Sequence, residues 1–281
     1  MKFHQSKSEL FVPDGLRPEK ALSRITHLAV SAHQDDIEIM AAEPILKCYQ
    51  KLDLWFGAVV MTDGRGSPRD DIYKNYTDEE MRLVRFKEQK KAAFVGEYAA
   101  QILLDYPSTT IKNSEDKNSV EDLVLILKAT QPHIVYTHNL ADKHDTHVST
   151  ALRLIEAIRR LPKTERPHKL YGCEVWRSLD WMLDIDKILF DLSKHENLQA
   201  ALLGIFDSQI CGGKRYDLAS LGRRKANATY FESHGLDNTQ GLSFGMDLTP
   251  LIVDDSKSIN EFIQGHIDAF ARDVSDRLAR L

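Results

Sequence analysis

Four short apolar runs alternate with helical patterns through the first 161 residues of the chain. The apolar runs cover residues 25–32, 54–62, 99–104 and 132–137. Helical spacing of apolar residues fills the intervals over residues 39–51, from an N-cap at Asp78 to Gly96, over 120–129 and over 148–161. Strands that alternate with helices are typical of βαβ units, in which parallel strands form a sheet covered by helices. The pattern therefore predicts an α/β fold with a mostly parallel sheet flanked by helices, and a functional site at the carboxyl ends of its strands.

The first apolar run ends directly on four ionisable side chains, His33, Asp35, Asp36 and Glu38. Burying this much charge is costly unless a metal ion or a hydrogen-bond network compensates for it. An imidazole together with carboxylates suits a divalent ion such as Zn²⁺. The alternative is structural, because a histidine at a strand end and an aspartate pair at a helix N-terminus also occur without a metal.

A second polar cluster, Asp142, His144 and His147, follows the fourth apolar run and precedes a predicted helix. Histidines three residues apart lie on one face of a helical turn, so the two imidazoles would point into one volume. Such pairs also occur as solvated surface histidines. The two clusters together favour a metal site, because the carboxyl ends of parallel strands meet at one edge of a sheet.

Composition excludes several classes of protein. The formal net charge is −5 and the sequence pI about 6.1, which argues against nucleic-acid binding because phosphate contacts require a clustered basic surface. Three widely spaced cysteines exclude a cysteine-rich metal site and fit free thiols in a reducing compartment. No apolar run approaches the ~20 residues of a membrane span. We therefore expect a cytoplasmic protein that acts on a small molecule, without signal peptide or membrane anchor.

Two motifs resemble those of a known family. His33-Gln34-Asp35-Asp36-Ile37-Glu38 resembles the His-Pro-Asp-Asp-x-Glu signature of the PIG-L/LmbE family of zinc-dependent N-deacetylases, and Asp142-x-His144-x-x-His147 resembles its second motif. The helix with Arg85-x-x-Glu88 and the segment 194–232 extend the resemblance. Gln34 stands where the family usually has proline. Proline is neither ligand nor acid, so the difference concerns the loop geometry rather than the chemistry.

The resemblance implies a Rossmann-like domain that binds Zn²⁺ through His33, Asp36 and His147. The spacing agrees, because His33 and Asp36 share one turn and His147 comes from a distant loop over the same sheet edge. The resemblance also implies that Asp35 is not a ligand but the general base that takes a proton from the metal-bound water. A zinc ion with three protein ligands lowers the pKa of its water to about 7 and polarises the amide carbonyl.

Four further residues are predicted to complete the site. His144 would stabilise the oxyanion or protonate the departing amine, and Asp142 would fix the tautomer of His144 and raise its pKa. Arg85 would bind an oxygen of the substrate or of the acetate product, although with Glu88 it also fits a surface ion pair. Asp63 is a candidate substrate contact or simply a turn former.

We expect one LmbE-like domain over residues 1–281, with an N-terminal arm at 1–18 and a C-terminal elaboration at 233–281. The predicted function is zinc-dependent removal of an N-acetyl or N-acyl group from an amino-sugar-type substrate such as an N-acetylglucosamine derivative. Two alternatives stay open: a zinc amidase acting on a larger N-acyl or thiol-conjugate amide, and a non-catalytic carbohydrate-binding protein on the same scaffold. The loops 63–76 and 210–222 are expected to line the pocket. The sequence does not indicate an oligomeric state.

Overall fold

The protein, described over residues 1–281 by a computed structural model, is built around one eight-stranded sheet. The strands lie in the order β1-β4-β3-β2-β5-β6-β8-β7. The five central strands, from β4 to β6, are parallel, whereas β1, β7 and β8 pair antiparallel with their neighbours. The strand bounds are β1 Glu9–Phe11, β2 His27–Ser31, β3 Phe56–Thr62, β4 Ala100–Tyr106, β5 Ile134–His138, β6 Lys169–Cys173, β7 Lys187–Asp191 and β8 Leu242–Asp247.

Helices cover both faces of this sheet, which explains the uninterrupted apolar character of its central strands. All residues of β2, β3 and β4 are buried. Leu104 and Leu154 belong to one apolar core, while Phe56 and Phe86 belong to another. The helices are α1 Pro18–Ser23, α2 Asp36–Met40, α3 Ala42–Cys48, α4 Asp78–Val95, α5 Ser108–Lys112, α6 Asn118–Thr130, α7 Asp145–Arg159, α8 Glu196–Gly204, α9 Asp207–Ile210, α10 Tyr216–Tyr230, α11 Pro250–Val253 and α12 Ile259–Arg280.

The strand order reverses its direction between β2 and β5. The chain runs outward from β2 through β3 to β4, and then returns to place β5 on the other side of β2. The register brings His27 of β2 opposite Ile134 of β5. At such a switch point the loops after the two strands diverge and leave a crevice at their carboxyl ends. Both predicted polar clusters follow these two strands.

The predicted mostly parallel α/β sheet is confirmed, with three local differences. The N-terminal arm is not only a surface segment, because β1 lies in it and pairs antiparallel with β4. The C-terminal elaboration contributes β8, which lies between β6 and β7 within the sheet. The N-cap of α4 is Thr77 rather than Asp78. Its hydroxyl accepts from the backbone N–H of Glu80 while the Glu80 carboxylate accepts from the N–H of Thr77, so both terminal donors are satisfied.

None of the helices is both long enough and apolar enough to span a membrane.

Candidate metal centre and active site

Three candidate ligands converge in the crevice beyond β2 and β5. His33 and Asp36 follow β2, with Asp36 as the first residue of α2, and His147 lies in the first turn of α7. His33 Nδ1 lies 3.2 Å from Asp36 Oδ2 and 3.2 Å from His147 Nε2, and the third side of this triangle measures 3.4 Å. Ligands at about 2.1 Å from a tetrahedral Zn²⁺ lie roughly 3.4 Å apart. The three donor atoms therefore fit one divalent ion and leave one coordination position open.

Asp36 is the negative centre of this triangle. Burial opposes its ionisation, but the imidazoles of His147, His138 and His33 hold the pKa of Asp36 well below its usual range. The Asp36 carboxylate also accepts a 2.7 Å hydrogen bond from the backbone N–H of His33, which closes the turn after β2. The carboxylate is thus ionised. It faces imidazole nitrogens whose lone pairs could bind a cation.

Asp35 lies beside the ligands but contacts a cation of the protein itself. Its Oδ2 accepts a 3.0 Å hydrogen bond from Arg85 Nη2, and its backbone N–H donates to Gln89 Oε1. Its φ of 84° places the backbone in the left-handed region and separates its side chain from that of Asp36. Burial raises the pKa of Asp35 to about 7, although the Arg85 guanidinium opposes the shift. A carboxylate with this pKa can take up and release a proton near neutrality.

Arg85 and Glu88 form a buried pair, not a surface ion pair. The Arg85 side chain is 2% exposed, and its Nη1 lies 3.5 Å from Glu88 Oε2. Glu88 also accepts hydrogen bonds from the backbone N–H and the hydroxyl of Ser208. Arg85 Nη2 further donates to the backbone carbonyl of Gln34. The guanidinium is therefore fixed between Asp35 and Glu88.

Asp142 contacts a different imidazole from the one that the sequence analysis proposed. Its Oδ1 accepts from the backbone N–H of His144, and its Oδ2 lies 3.5 Å from Nδ1 of His147. The expectation that Asp142 fixes the tautomer of His144 is wrong, because the ring it faces is that of His147. Oδ2 also accepts a 3.0 Å hydrogen bond from the backbone N–H of Trp176.

His144 has no hydrogen-bond partner on its Nδ1. Its ring packs against His147 at 4.5 Å and His33 at 5.0 Å between centroids. Burial and the neighbouring imidazoles of His147 and His33 lower the pKa of His144 to about 4, which is opposite to the expected rise. In this environment His144 is a neutral imidazole that can donate or accept one hydrogen bond in the cavity.

His138, at the end of β5, was not among the predicted site residues. It is completely buried and stacks on His147 at 3.9 Å between ring centroids. Its Nε2 accepts a 2.8 Å hydrogen bond from the backbone N–H of Ala32, so that lone pair is already used. His138 could complete a second metal-binding group with Asp142 and His147. Its position, the last residue of a strand entering the second motif, is the only sequence signal for it.

Gln34 replaces the family proline with a buried side chain. Its Nε2 donates a 2.9 Å hydrogen bond to the backbone carbonyl of Thr62, the last residue of β3. Gly64 follows with a φ of +72°, and a Cβ there would lie 2.6 Å from Gln34 Oε1. Gln34 and Gly64 therefore pack the loop after β2 against the loop after β3. The contact is close enough that a larger residue at either position would clash with the other.

Two other carboxylates of the region are engaged in local contacts. Asp63 accepts from the side chain of Arg65 at 2.7 Å and from its backbone N–H at 3.1 Å, and it does not line the site cavity. Glu38 accepts from Tyr98 and Gln89 at 2.8 Å, and burial raises the pKa of Glu38 to about 8. The structure therefore shows a local role for Asp63, and Glu38 belongs to a buried network behind the ligands.

Two adjoining cavities open at the three candidate ligands. The polar cavity, about 400 Å³, contains His33, Asp35, Asp36, Arg85 and His144 in its lining. The second cavity, about 280 Å³, shares only Asp36, Trp176 and Tyr216 with the first and has a more apolar lining. Both predicted loops contribute, the first through Gly64, Gly66, Ser67 and Pro68 and the second through Lys214, Tyr216, Ala219 and Ser220.

Comparison with known proteins places these features in a family context. Residues 28–158 match the family model described as PIG-L: GlcNAc-PI de-N-acetylase. No curated protein matches the chain.

The solved structures that share the fold include three with TM-scores of 0.60 to 0.63. N,N'-diacetylchitobiose deacetylase from Pyrococcus horikoshii is similar with a TM-score of 0.63 and 16% identity over 83% of this chain and 87% of that one. A conserved protein of Thermus thermophilus has a TM-score of 0.61 and 17% identity over 83% and 99%. The 4-carboxy-2-hydroxymuconate hydratase GalB of Pseudomonas putida has a TM-score of 0.60 and 18% identity over 80% of this chain and 96% of that one. At these identities the likeness shows the fold alone. Residues 28–158, which carry both motifs, are thus similar to the PIG-L family over a little under half of the chain.

Proposed function

We propose that this protein is a metal-dependent N-deacetylase that hydrolyses the N-acetyl amide of an amino-sugar-type substrate, with zinc as its ion. One observation carries the proposal. The donor atoms of His33, Asp36 and His147 form a triangle with sides of 3.2 to 3.4 Å, and the carboxyl group of Asp35 lies beside it without belonging to it. Three ligands, an open position and a neighbouring base are the parts that metal-assisted hydrolysis requires.

The ion supplies Lewis acidity, because it lowers the pKa of water and polarises a carbonyl. The residues of the chain supply the proton transfer and the positioning. Asp35, with a pKa near 7, takes a proton from the attacking water and can return it to the departing amine. Arg85 holds the Asp35 carboxyl group by a 3.0 Å hydrogen bond and is itself held by Glu88, so the base has one orientation.

His144 is best placed to stabilise the oxyanion. Its ring lines the polar cavity; Nδ1 is buried, whereas Nε2 makes no hydrogen bond with the protein, so Nε2 is the nitrogen assigned to a substrate oxygen. A neutral imidazole donates one hydrogen bond without giving up its proton, and such donors contribute most where water is excluded. In this role His144 does not need the raised pKa that the sequence analysis expected.

The fold itself does not determine the reaction, because a hydratase is among the structures that share it. The site must therefore be tested directly. Zinc-loaded protein is incubated with a panel of N-acetyl and longer N-acyl amino sugars and with a thiol-conjugate amide, and free acid is quantified. Release of acetate supports the proposal, release of only a longer acid supports the amidase alternative, and binding without hydrolysis supports a carbohydrate-binding protein.

Variants separate the ligands from the base. Asp35→Asn should lower turnover by roughly 10² or more and retain its zinc, because the amide cannot accept the proton. His147→Ala should lose zinc and activity together. Asp53→Asn, an exposed position, is the control. Zinc retained at wild-type affinity by alanine variants at His33, Asp36 and His147 would contradict the ligand assignment.

A further inference from the structure

The second cavity has chemistry that amide hydrolysis does not use. It adjoins the ligand triangle through Asp36, and Trp176 and Tyr216 line both this cavity and the polar one. Ile39, Val175 and Leu242 form part of its apolar lining. Arg224 and Lys143 also line it. A neutral acetyl group does not need this arrangement.

The charge around the two cavities is opposite in sign to that of the whole chain. The linings contain six Lys or Arg side chains but only three carboxylates, whereas the chain has a net charge of −5. The six cations are Arg85, Lys112, Lys143, Lys214, Arg223 and Arg224. A divalent ion at the ligand triangle would add two further positive charges. Such a concentration of one sign in a cleft attracts an oppositely charged ligand.

The three carboxylates do not neutralise these cations, Arg85 excepted. Asp35 pairs with Arg85, and Asp36 faces the imidazoles. Glu174 is buried, and its two oxygens accept five hydrogen bonds from polar groups. The other five cations make no salt bridge. The N–H groups of those five side chains are therefore either free to bind a ligand or hydrogen-bonded only to neutral groups.

Arg224 and Arg223 have no carboxylate partner. Arg224 is 4% exposed and donates to Gln199 Oε1 and to the backbone carbonyls of Glu38 and Ile39. Burial lowers the pKa of Arg224 to about 10, which reflects the cost of a guanidinium without a carboxylate. Arg223, half-buried on the same turn of α10, donates only to the carbonyl of Val175.

Lys143 reaches the same cavity from the loop of the second motif. Its Nζ lies 5.7 Å from the centre of the Trp176 ring, and that of Lys214 lies 5.0 Å from it. Two ammonium groups thus lie near the aromatic wall between the cavities. A cation–π contact at an exposed site contributes only about 0.5–1 kcal/mol, so it does not replace an anionic partner.

We propose that the substrate carries a carboxylate or phosphate group that binds in the second cavity, which Lys143 and Arg223 line, while its amide lies at the ligand triangle. This inference rests on the proposed function for the amide, but the anion site is defined by the cations alone. Arg224, deeper in the cavity, supports the same charge. The apolar residues exclude water around the ion pairs and thereby strengthen them.

The test compares three probes that differ only at the anomeric position: the methyl glycoside of N-acetylglucosamine, its carboxymethyl glycoside, and N-acetylglucosamine 1-phosphate. Calorimetry gives the dissociation constant of each with the zinc-loaded full chain. We expect at least one of the anionic probes to bind about tenfold tighter than the methyl glycoside, because hydrogen bonds to charged groups are the stronger ones. The tighter of the two identifies the anion.

Arg223→Gln should remove most of this preference and leave the affinity for the methyl glycoside unchanged within about twofold. Lys143→Gln is the second variant, and because Lys143 is exposed its replacement does not threaten folding. Arg272→Gln, on the exposed helix α12, removes the same charge far from the cavity and should preserve the preference. Equal binding of all three probes, or a preference that survives in both cavity variants, would overturn the proposal.

Binding and hydrolysis distinguish this inference from the proposed function. If the anionic probes bind preferentially and lose the preference in Arg223→Gln, the anion site stands even where no acetate is released. If acetate is released from all three probes with equal kcat/KM and equal affinity, the deacetylase stands and the anion site falls.

Discussion

Replacing Asp142 by asparagine tests which imidazole the second motif positions. The substitution keeps the size of the side chain and removes its charge. In the structure the carboxylate faces Nδ1 of His147 at 3.5 Å, and Nε2 of the same ring is the candidate ligand atom. A carboxylate on the far nitrogen of a ligating imidazole fixes its tautomer and raises its basicity. Asp142→Asn should therefore weaken metal binding rather than alter His144.

The magnitude follows from the geometry. Loss of such a partner costs 10- to 100-fold in metal affinity, about 1.4 to 2.7 kcal/mol. The 3.5 Å separation is longer than a strong hydrogen bond, so we expect the lower end, near tenfold. The asparagine amide also has only one acceptor for the N–H groups of His144 and Trp176, which should lower the free energy of unfolding by about 1–3 kcal/mol.

The assay is competition for zinc between the protein and a chromophoric chelator, at a temperature where both forms are fully folded. Asp145→Asn is the matched control, because it removes the same charge three residues away from an exposed side chain without hydrogen bonds to the site. Its zinc affinity should change by less than about twofold. Wild-type affinity in Asp142→Asn, or an equal loss in both variants, would refute the contact between Asp142 and His147 as the cause.

Three further predictions concern folding, each measured by urea unfolding. Gly64→Ala should lower the free energy of unfolding by about 1–2 kcal/mol, since the φ of Gly64 is +72°. Adding Gln34→Ala should relieve part of that loss, because Gln34 Oε1 would touch the new Cβ; additive losses in the double variant would contradict the contact. Burial lowers the pKa of His27 from 6.5 to about 4. Between these pH values the unfolded chain binds a proton at His27 that the folded protein does not bind. Stability should then fall by up to about 1.4 kcal/mol per unit as the pH drops from 6.5 to 4, and His27→Gln should show a shallower fall; parallel curves would contradict this. Thr77→Ala should lower the free energy of unfolding by about 0.5–2 kcal/mol, and Asp78→Ala should lower it less, because Thr77 caps α4. A larger loss in Asp78→Ala than in Thr77→Ala would indicate that Asp78 is the cap.

Local sequence patterns were sufficient where a structural feature depends on neighbours along the chain. The apolar run before His33 predicted β2, and the three-residue spacing of His144 and His147 predicted that the two imidazoles lie close together, as their ring centroids do at 4.5 Å. Partners distant in sequence could not be predicted in this way. Whether Asp142 faces His144 or His147 depends on how α7 begins against β5, and two residues of separation favoured the wrong ring.

The edges of the sheet were missed for a related reason. β1 has three half-buried residues and β7 has only two buried ones, so neither shows the continuous apolar run that identified the central strands. β8 is almost wholly buried, but its sequence, with Ser243 and Gly245, has no strong strand propensity. Its place between β6 and β7 is fixed by pairing over more than 50 residues of chain, which no local pattern records.

The insertion of β8 also sets an order on assembly. β7 pairs with no strand other than β8. During synthesis β7 therefore has no strand to pair with until residues 242–247 have left the ribosome. The five parallel strands and all three metal-ligand candidates precede that point in synthesis. Leu242 and Ser243 of β8 line the second cavity, so this wall of the cavity forms last. In a nascent chain the ligand triangle can thus be complete before the second cavity exists.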